Sequence, residues 1–590
     1  ARVERLAPVG KMLRSILVLT ALSVVGYRFE TLCLGQTLPP ISVSKTQSVP
    51  CTASAPVVPV DVADLQEDLD KIPEVLEVLR MTTLKAPAAA AIVVQGGRTI
   101  YFNSSGTARP SVPFSADSIV RIASNTKLFT SLAAFKLRDE GKLSLDDPVV
   151  KWLPQFKVQG SGKSMKKSKR PIVLRSLAMH ASGLQREIPD CNNCDFNETA
   201  VLEALAAEPH GQIGPQFRST AYSNLGIALL GRSLEKAAAQ RQRNGGISYE
   251  EYVEREILTP MEMFSSGFNY SDEVLNRMAI GVNPLTGETV PLPSHDDGFI
   301  WGAPAGTMYS TCNDMAKFMT NALAYAMDSD DGRSITEPVD EMTFAELQMS
   351  GTVAGLSNAF GGVGSGTYEW VHLQSDDQEE GHWAFTKAGC LEGYRSDTLL
   401  VPELGLGIFA VATSTCDING DGDPITVPLA NLLAPSIQKL LVEKQEEAIR
   451  ASEWLPPSPA RFEGAYNCTG ESVSVAMEDS ALVVRNYDTF YPMRLEYVDQ
   501  CPGNSDGMDG YNFHAHMIGP YINATQCETT NTAGQRFNIC PTSCMLRLFR
   551  GDNNYMQFLI DPAHPEKASQ LVSPGLEFYC TYVGPVHGQD

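Results

Sequence analysis

No apolar stretch of this 590-residue chain is long enough for an easy membrane span. The longest candidate, Ser15 to Gly26, has twelve residues and follows Lys11 and Arg14. Those are the proportions of a signal-peptide hydrophobic region. Residues 1–35 are therefore expected to be a signal peptide on a secreted protein. The alternative is an uncleaved signal anchor, extended by Leu32 and Leu34, with a lumenal or extracellular type II topology. Positive charge is scarce as well: 46 Lys and Arg face 69 Asp and Glu, for a net charge of −23. That balance argues against nucleic acid or an anionic membrane surface as partner. Membrane contact is expected only if the N-terminal segment stays as an anchor. The one basic run, Lys163 to Arg170, reads as a solvated loop. An H-E-x-x-H metal motif and internal repeats are both missing.

What is present is a globular composition, 43% apolar and 19% charged, long enough for a large core and more than one domain. Residues 36–60 are rich in Pro, Ser and Val and read as a linker. Residues 61–82 read as one or two short helices interrupted by Pro73, which gives a linker and helical segment over 36–82. A catalytic region is expected over 83–455, closing on a helix from about Leu429 to Ser452. Pro456-Pro457-Ser458-Pro459 is a second linker signal. Residues 456–590 then change character, with short β-rich runs such as Ser472 to Val475, Leu482 to Arg485 and Met545 to Phe549. They predict a small, Cys-rich β-domain.

Beyond Cys33, the cysteines split evenly, six at Cys51–Cys416 and six at Cys468–Cys580. Even counts fit disulfides in an oxidising compartment, with connectivity left open. Sequons at Asn103, Asn197, Asn269, Asn467 and Asn523 agree with export. Zinc at Cys191-x-x-Cys194 with Cys540-x-x-x-Cys544 is disfavoured, because the pairs lie in different domains and no His pair follows. Asp417 to Asp423 has calcium-loop oxygen spacing, but Pro428 stands where a ligating Glu belongs, so a solvated acidic turn is favoured. No metal or cofactor is expected.

Three short motifs follow one another. Ser124-Asn125-Thr126-Lys127 opens an amphipathic helix, Tyr222-Ser223-Asn224 comes next, and Lys387-Ala388-Gly389 comes last. S-x-x-K occurs five times, at Ser42, Ser124, Ser164, Ser233 and Ser436. Only Ser124 follows a strand-like run, Ser118 to Ala123, and precedes apolar residues at near-helical spacing up to a stop at Gly141. A serine there meets free N–H groups and the positive end of the helix dipole. Lys127, three residues on, shares its helix face. Taken singly, each motif has a bland reading. Ser124 suits an N-cap beside a solvated Lys, Tyr222 a core aromatic at a helix start, Asn224 a cap, and Lys387 a solvated strand residue.

Together and in this order, the motifs resemble the β-lactamase-related serine hydrolases, whose marks include S-x-x-K and K-T-G. The middle Y-x-N resembles the class C branch and its esterase and D-peptidase relatives. The flanks extend the likeness over residues 75–440: Gly141 to Pro148, Leu174 to Leu184, Trp301 to Thr311, and Gly389 to Gly407. The chain most resembles eukaryotic β-lactamase-like proteins of animals and fungi. The resemblance implies an α/β, β-lactamase/transpeptidase-like fold: an antiparallel sheet flanked by helices, plus a helical lobe. It implies a small-molecule or peptide substrate, drawn from esters, amides, D-amino peptides or β-lactams. By the same resemblance Ser124 forms an acyl-enzyme, while Tyr222 with Lys127 takes the serine proton and later activates water. Asn224 would bind the acyl amide and Lys387 would position the network or substrate. Backbone N–H groups of Ser124 and Cys390, beside Gly389, would form the oxyanion hole. His180 is read as structural. Ala388 departs from the pattern, since the family often has a hydroxyl there for a substrate carboxylate. The rival is a catalytically inactive binding or scaffold protein on the same fold. The intact Ser124, Lys127, Tyr222 and Lys387 argue against it.

Overall fold

The structure is a computed structural model. It describes residues 59–585 apart from 161–169, 192–193, 219, 241–245, 324–337, 340, 349, 354–359, 365–366, 374–381, 416–424, 452–454, 457, 469–470, 487–492, 502–508, 518–527, 531–535, 539–554, 562 and 574–577. The N-terminal apolar run, nearly all of the basic run, the Asp417 to Asp423 turn and the Met545 to Phe549 run lie outside the described residues.

Strand β1, Ala88–Gln95, is buried along its whole length. Its alternate residues enter two different cores, as a period of two requires. Ala88, Ala90, Ile92 and Val94 pack into one apolar cluster. Ala89, Ala91 and Val93 pack into the other. The sheet is therefore covered on both faces, and an apolar run without polar alternation is what such a strand needs. Gly96 and Gly97 have φ of 57° and 72°, which lets the chain turn back tightly into β2, Arg98–Arg109. The remaining strands of this region are β3 Val112–Pro113, β4 Val120–Arg121, β5 Tyr309–Ser310, β6 Ser350–Val353, β7 Phe360–Gly364, β8 Glu369–His372, β9 Trp383–Leu391, β10 Tyr394–Val401 and β11 Leu406–Ala412.

Nine of these strands form one antiparallel sheet in the order β3-β2-β1-β11-β10-β9-β8-β7-β6. One face carries the long helices α1, Thr126–Asp139, α2, Asn224–Ala239, and α3, Cys312–Ala322, all within the first cluster. The other face carries the short helices near the start of the described chain and α4, Thr426–Arg450. This is the expected α/β architecture. Helix α1 begins directly after the short turn Ala123–Asn125, which carries Ser124. It ends at Asp139, with Gly141 in a left-handed conformation at φ 66°, the stop predicted for it.

Two expectations are corrected. Pro73 does not interrupt a helix. It is the second residue of Ile72–Val78, where its missing N–H costs no helical bond. The closing helix starts at Thr426, three residues before Leu429, because Asp397 accepts hydrogen bonds from the Thr426 N–H and hydroxyl and caps it. Farther on, eight antiparallel strands between Gly464 and Gly584 close into a barrel filled by Phe462, Tyr466, Phe513, Phe558 and Leu571. This is the β-rich C-terminal domain expected from the sequence. Closure removes the exposed strand edges that a small open sheet would present.

The sheet also presses directly on the turn that carries Ser124. A Cβ at Gly389 would strike the Ile122 carbonyl and the Ser396 hydroxyl, with Asn125 Nδ2 3.1 Å away. Gly389→Ala is therefore expected to cost about 1–3 kcal/mol through overpacking. Urea unfolding followed by circular dichroism measures it, and an unchanged midpoint would contradict this close approach.

Candidate active site

Ser124 lies in a short 3₁₀ turn, Ala123–Asn125, between β4 and α1. Ala123 takes φ 50°, a left-handed conformation unusual for a residue with a Cβ. The surroundings over-determine that turn. Asn125 is fully buried, donates to Ser396 Oγ at 2.8 Å and accepts from Thr398 Oγ1 at 2.7 Å. Ser396 Oγ in turn donates to the Ile122 carbonyl at 2.7 Å. Two residues of β10 thus pin the turn on both sides of Ser124, whose own side chain stays partly open.

Lys127 is fully buried on the first turn of α1. Its Nζ donates to Ser124 Oγ at 2.9 Å and to the carbonyl of Ala305. Tyr222 Oη lies 2.7 Å from the same Ser124 Oγ. The hydroxyl of Ser124 is therefore held between an amine and a phenol, both within reach for proton transfer. Burial lowers the proton affinity of Lys127, Tyr222 partly restores it, and nearby Lys387 lowers it again, leaving it below the ordinary lysine value. Burial alone would raise Tyr222, but the charges of Lys127 and Lys387 outweigh it and hold the phenol below its ordinary value. Their Nζ atoms lie 5.0 and 5.1 Å from the Tyr222 ring centroid.

Lys387, on β9, is buried and donates to Glu369 Oε1 at 2.7 Å. Burial acts against its charge. Glu369 and then Tyr222 more than compensate, so Lys387 is held above the ordinary lysine value. The two lysines of the site are thus driven in opposite directions by the presence or absence of a carboxylate. Ala388 is exposed. Strand β8 pairs with β9 only as far as Thr386. Gly389 abuts the turn that carries Ser124, which brings the end of β9 beside it. Cys390, next to it, is exposed and disulfide-bonded. Cys191 and Cys194 are joined to each other by a disulfide, which removes them as thiolate zinc ligands.

Asn224 is the first residue of α2, and the cap of that helix is Ser223, whose hydroxyl accepts from the Gly226 N–H. The Asn224 side-chain amide donates to both oxygens of Glu187, at 2.9 and 3.1 Å. Its Oδ1 is buried without a partner among the described residues. The donors expected to meet a substrate amide are thus engaged with a carboxylate in this state. Arg186 covers the Tyr222 ring, with its guanidinium carbon 4.8 Å from the centroid.

The structure therefore brings Ser124, Lys127, Tyr222 and Lys387 together and places Gly389 against them. Sequence reasoning missed Glu369, Arg186, Glu187 and the Ala305 carbonyl. Ala305 belongs to the Trp301 to Thr311 segment already singled out, so that segment was the available signal. Glu369 carries no motif, and only the strand pairing reveals it.

With this geometry and fold, the chain belongs to the Beta-lactamase family, whose model matches residues 76–422. That is a family of serine hydrolases with small-molecule or peptide substrates. Beta-lactamase-like protein 2 of Dictyostelium discoideum is 31% identical over 430 residues, covering 67% of this chain and 71% of that protein. Beta-lactamase-like protein 4 of the same organism is 32% identical over 336 residues, or 56% of each chain. Among solved structures, the octameric penicillin-binding protein homologue from Pyrococcus abyssi is 21% identical. It covers 88% of this chain and 99% of its own, with a TM-score of 0.49.

Removing the carboxylate that compensates Lys387 should leave a buried cation unpaired. Glu369→Gln is expected to lose about 3 kcal/mol in urea unfolding at neutral pH. The sign follows from a raised lysine value. The stabilisation is fully present below the ordinary 10.5 and fades as pH rises through the raised value. A Glu369→Gln midpoint equal to wild type at pH 7 would show that the pair contributes nothing.

Proposed function

We propose that this chain is a serine hydrolase acylated at Ser124, acting on neutral esters and amides in preference to β-lactams and other carboxylate-bearing substrates. The observation that carries the reading is the shared hydrogen bonding of Ser124 Oγ to Lys127 Nζ and Tyr222 Oη. Ser124 Oγ attacks the substrate carbonyl as its proton passes to the Tyr222–Lys127 pair. Backbone N–H groups of Ser124 and Cys390 receive the developing oxyanion. The pair then returns the proton to the leaving group, Tyr222 draws a proton from the water that attacks the acyl-enzyme, and the acyl–Oγ bond breaks as that proton passes to Ser124 Oγ.

Two features support the neutral preference. Lys387 already has Glu369 as counter-ion, so its charge is less available to a substrate carboxylate. Ala388 offers no hydroxyl where the family often has one. Export to an oxidising compartment belongs to the same proposal. It is supported by the Cys191–Cys194 disulfide and by the disulfide-bonded state of Cys390 and Cys580.

A comparison of kcat/KM for a neutral aryl ester and a cephalosporin tests this. Wild type is expected to favour the ester, and Ser124→Ala to abolish both activities. Ala388→Thr adds a donor for a charged acceptor, worth about 1.5–3 kcal/mol. It should improve the cephalosporin roughly 10–100-fold and leave the ester nearly unchanged. A wild type that strongly prefers the cephalosporin, or equal changes for both substrates, contradicts the proposed preference.

A further inference from the structure

His180 belongs to no step above, yet it touches Tyr222 in three ways. Its imidazole stacks on the Tyr222 ring, with centroids 4.4 Å apart and planes 29° from parallel. Its Nδ1 accepts from the Ser223 N–H at 3.1 Å. Its carbonyl accepts from the Ala221 N–H at 2.7 Å. One residue therefore holds the main chain on both sides of Tyr222 and the ring between them. Ser223 is fixed further, because its hydroxyl donates to the Gln185 carbonyl at 2.6 Å and caps α2. His180 is 1% exposed and left-handed, at φ 52°.

We propose that His180 is a positioning residue for Tyr222, holding its ring against Ser124 by a neutral imidazole whose Nδ1 lone pair is committed to the Ser223 amide. The inference rests on the reading of Ser124 as nucleophile and Tyr222 as its base. A backbone N–H only donates, so Nδ1 carries the lone pair and the neutral ring bears its proton on Nε2. Nε2 is buried and has no partner among the described residues. A space-filling role needs no lone pair at Nδ1, and an apolar side chain would serve it.

Charge supports the same arrangement. Tyr222 is faced by Lys127 from α1, Lys387 from β9 and Arg186 from the loop before α2. Glu369 and Glu187 stand behind them. A protonated His180 would add a fourth cation and break the bond to Ser223. Burial, followed by the charges of Lys127, Lys387 and Arg186, holds His180 well below its ordinary value. The imidazole thus orients the phenol without changing the charge of the site.

Two measurements test this, one on the intact protein. Nitrogen-15 spectra of histidine-labelled wild type, with His180 assigned by its loss in His180→Asn, should show a neutral Nε2–H tautomer. It should persist from about pH 5 to about pH 9, where an ordinary histidine titrates. An imidazolium or an Nδ1–H tautomer in that range overturns the proposal. His180→Asn keeps an acceptor for Ser223 and tolerates the left-handed backbone, but it has no ring to stack. Its kcat on a neutral aryl ester should fall roughly 100-fold, the scale of a misplaced catalytic group, with KM unchanged. The acidic limb of its pH profile should move to higher pH as Tyr222 drifts from the two lysines toward ordinary tyrosine behaviour. Wild-type kcat and an unmoved limb overturn the role of His180. A serine-directed probe applied to wild type separates the two layers. An adduct on Ser124 keeps the catalytic reading whatever His180→Asn does, whereas no adduct there removes that reading and this inference with it.

Discussion

The site depends on one buried amine. Lys127 is taken entirely out of water and donates to Ser124 Oγ and the Ala305 carbonyl, with no carboxylate bonded to it among the described residues. Burial without a counter-ion weakens its hold on its proton. The amine is therefore held below its ordinary value beside the Ser124 hydroxyl. The rest of the fold keeps it there. Helix α1 sets the spacing from Ser124, and the segment around Ala305 caps the amine. Asn125, pinned by Ser396 and Thr398, keeps the turn ahead of the helix from relaxing.

Lys387 shows what Lys127 would become with a partner. Both are buried lysines near the Tyr222 ring, yet Glu369 keeps Lys387 firmly protonated. This division of labour gives Tyr222 one permanent cation and one adjustable neighbour. Both favour the anionic phenol against the cost of burying it. The charge of Lys387 is compensated within the sheet by Glu369.

Much of this was legible in the sequence because its determinants are local. A strand-like run, S-x-x-K, apolar residues at helical spacing and a Gly stop are contiguous, and they put Ser124 and Lys127 at the start of α1, where the structure has them. What escaped depends on pairing between distant segments. Glu369 reaches Lys387 only because β8 lies beside β9, and no spacing rule encodes that register. The engagement of Asn224 with Glu187 spans 37 residues and converts an expected donor to substrate into the holder of a carboxylate. His180 looked structural because the motif holding it says nothing about which nitrogen is bonded. Pro73 was misplaced because proline both breaks helices and starts them, and only the neighbouring backbone decides which.

The central claim is that Lys127 and Tyr222 act as one proton acceptor for Ser124. The direct measurement is the rate of Ser124 acylation by a fluorophosphonate in wild type, Lys127→Ala, Tyr222→Phe and the double variant, with the adduct mapped by mass spectrometry. Each single variant should slow acylation by roughly 10²–10⁴, the range for a positioned acid–base group. The double variant should be little slower than the worse single one, as for residues that act as a unit. Multiplicative losses, or an adduct on any serine other than Ser124, would contradict the account.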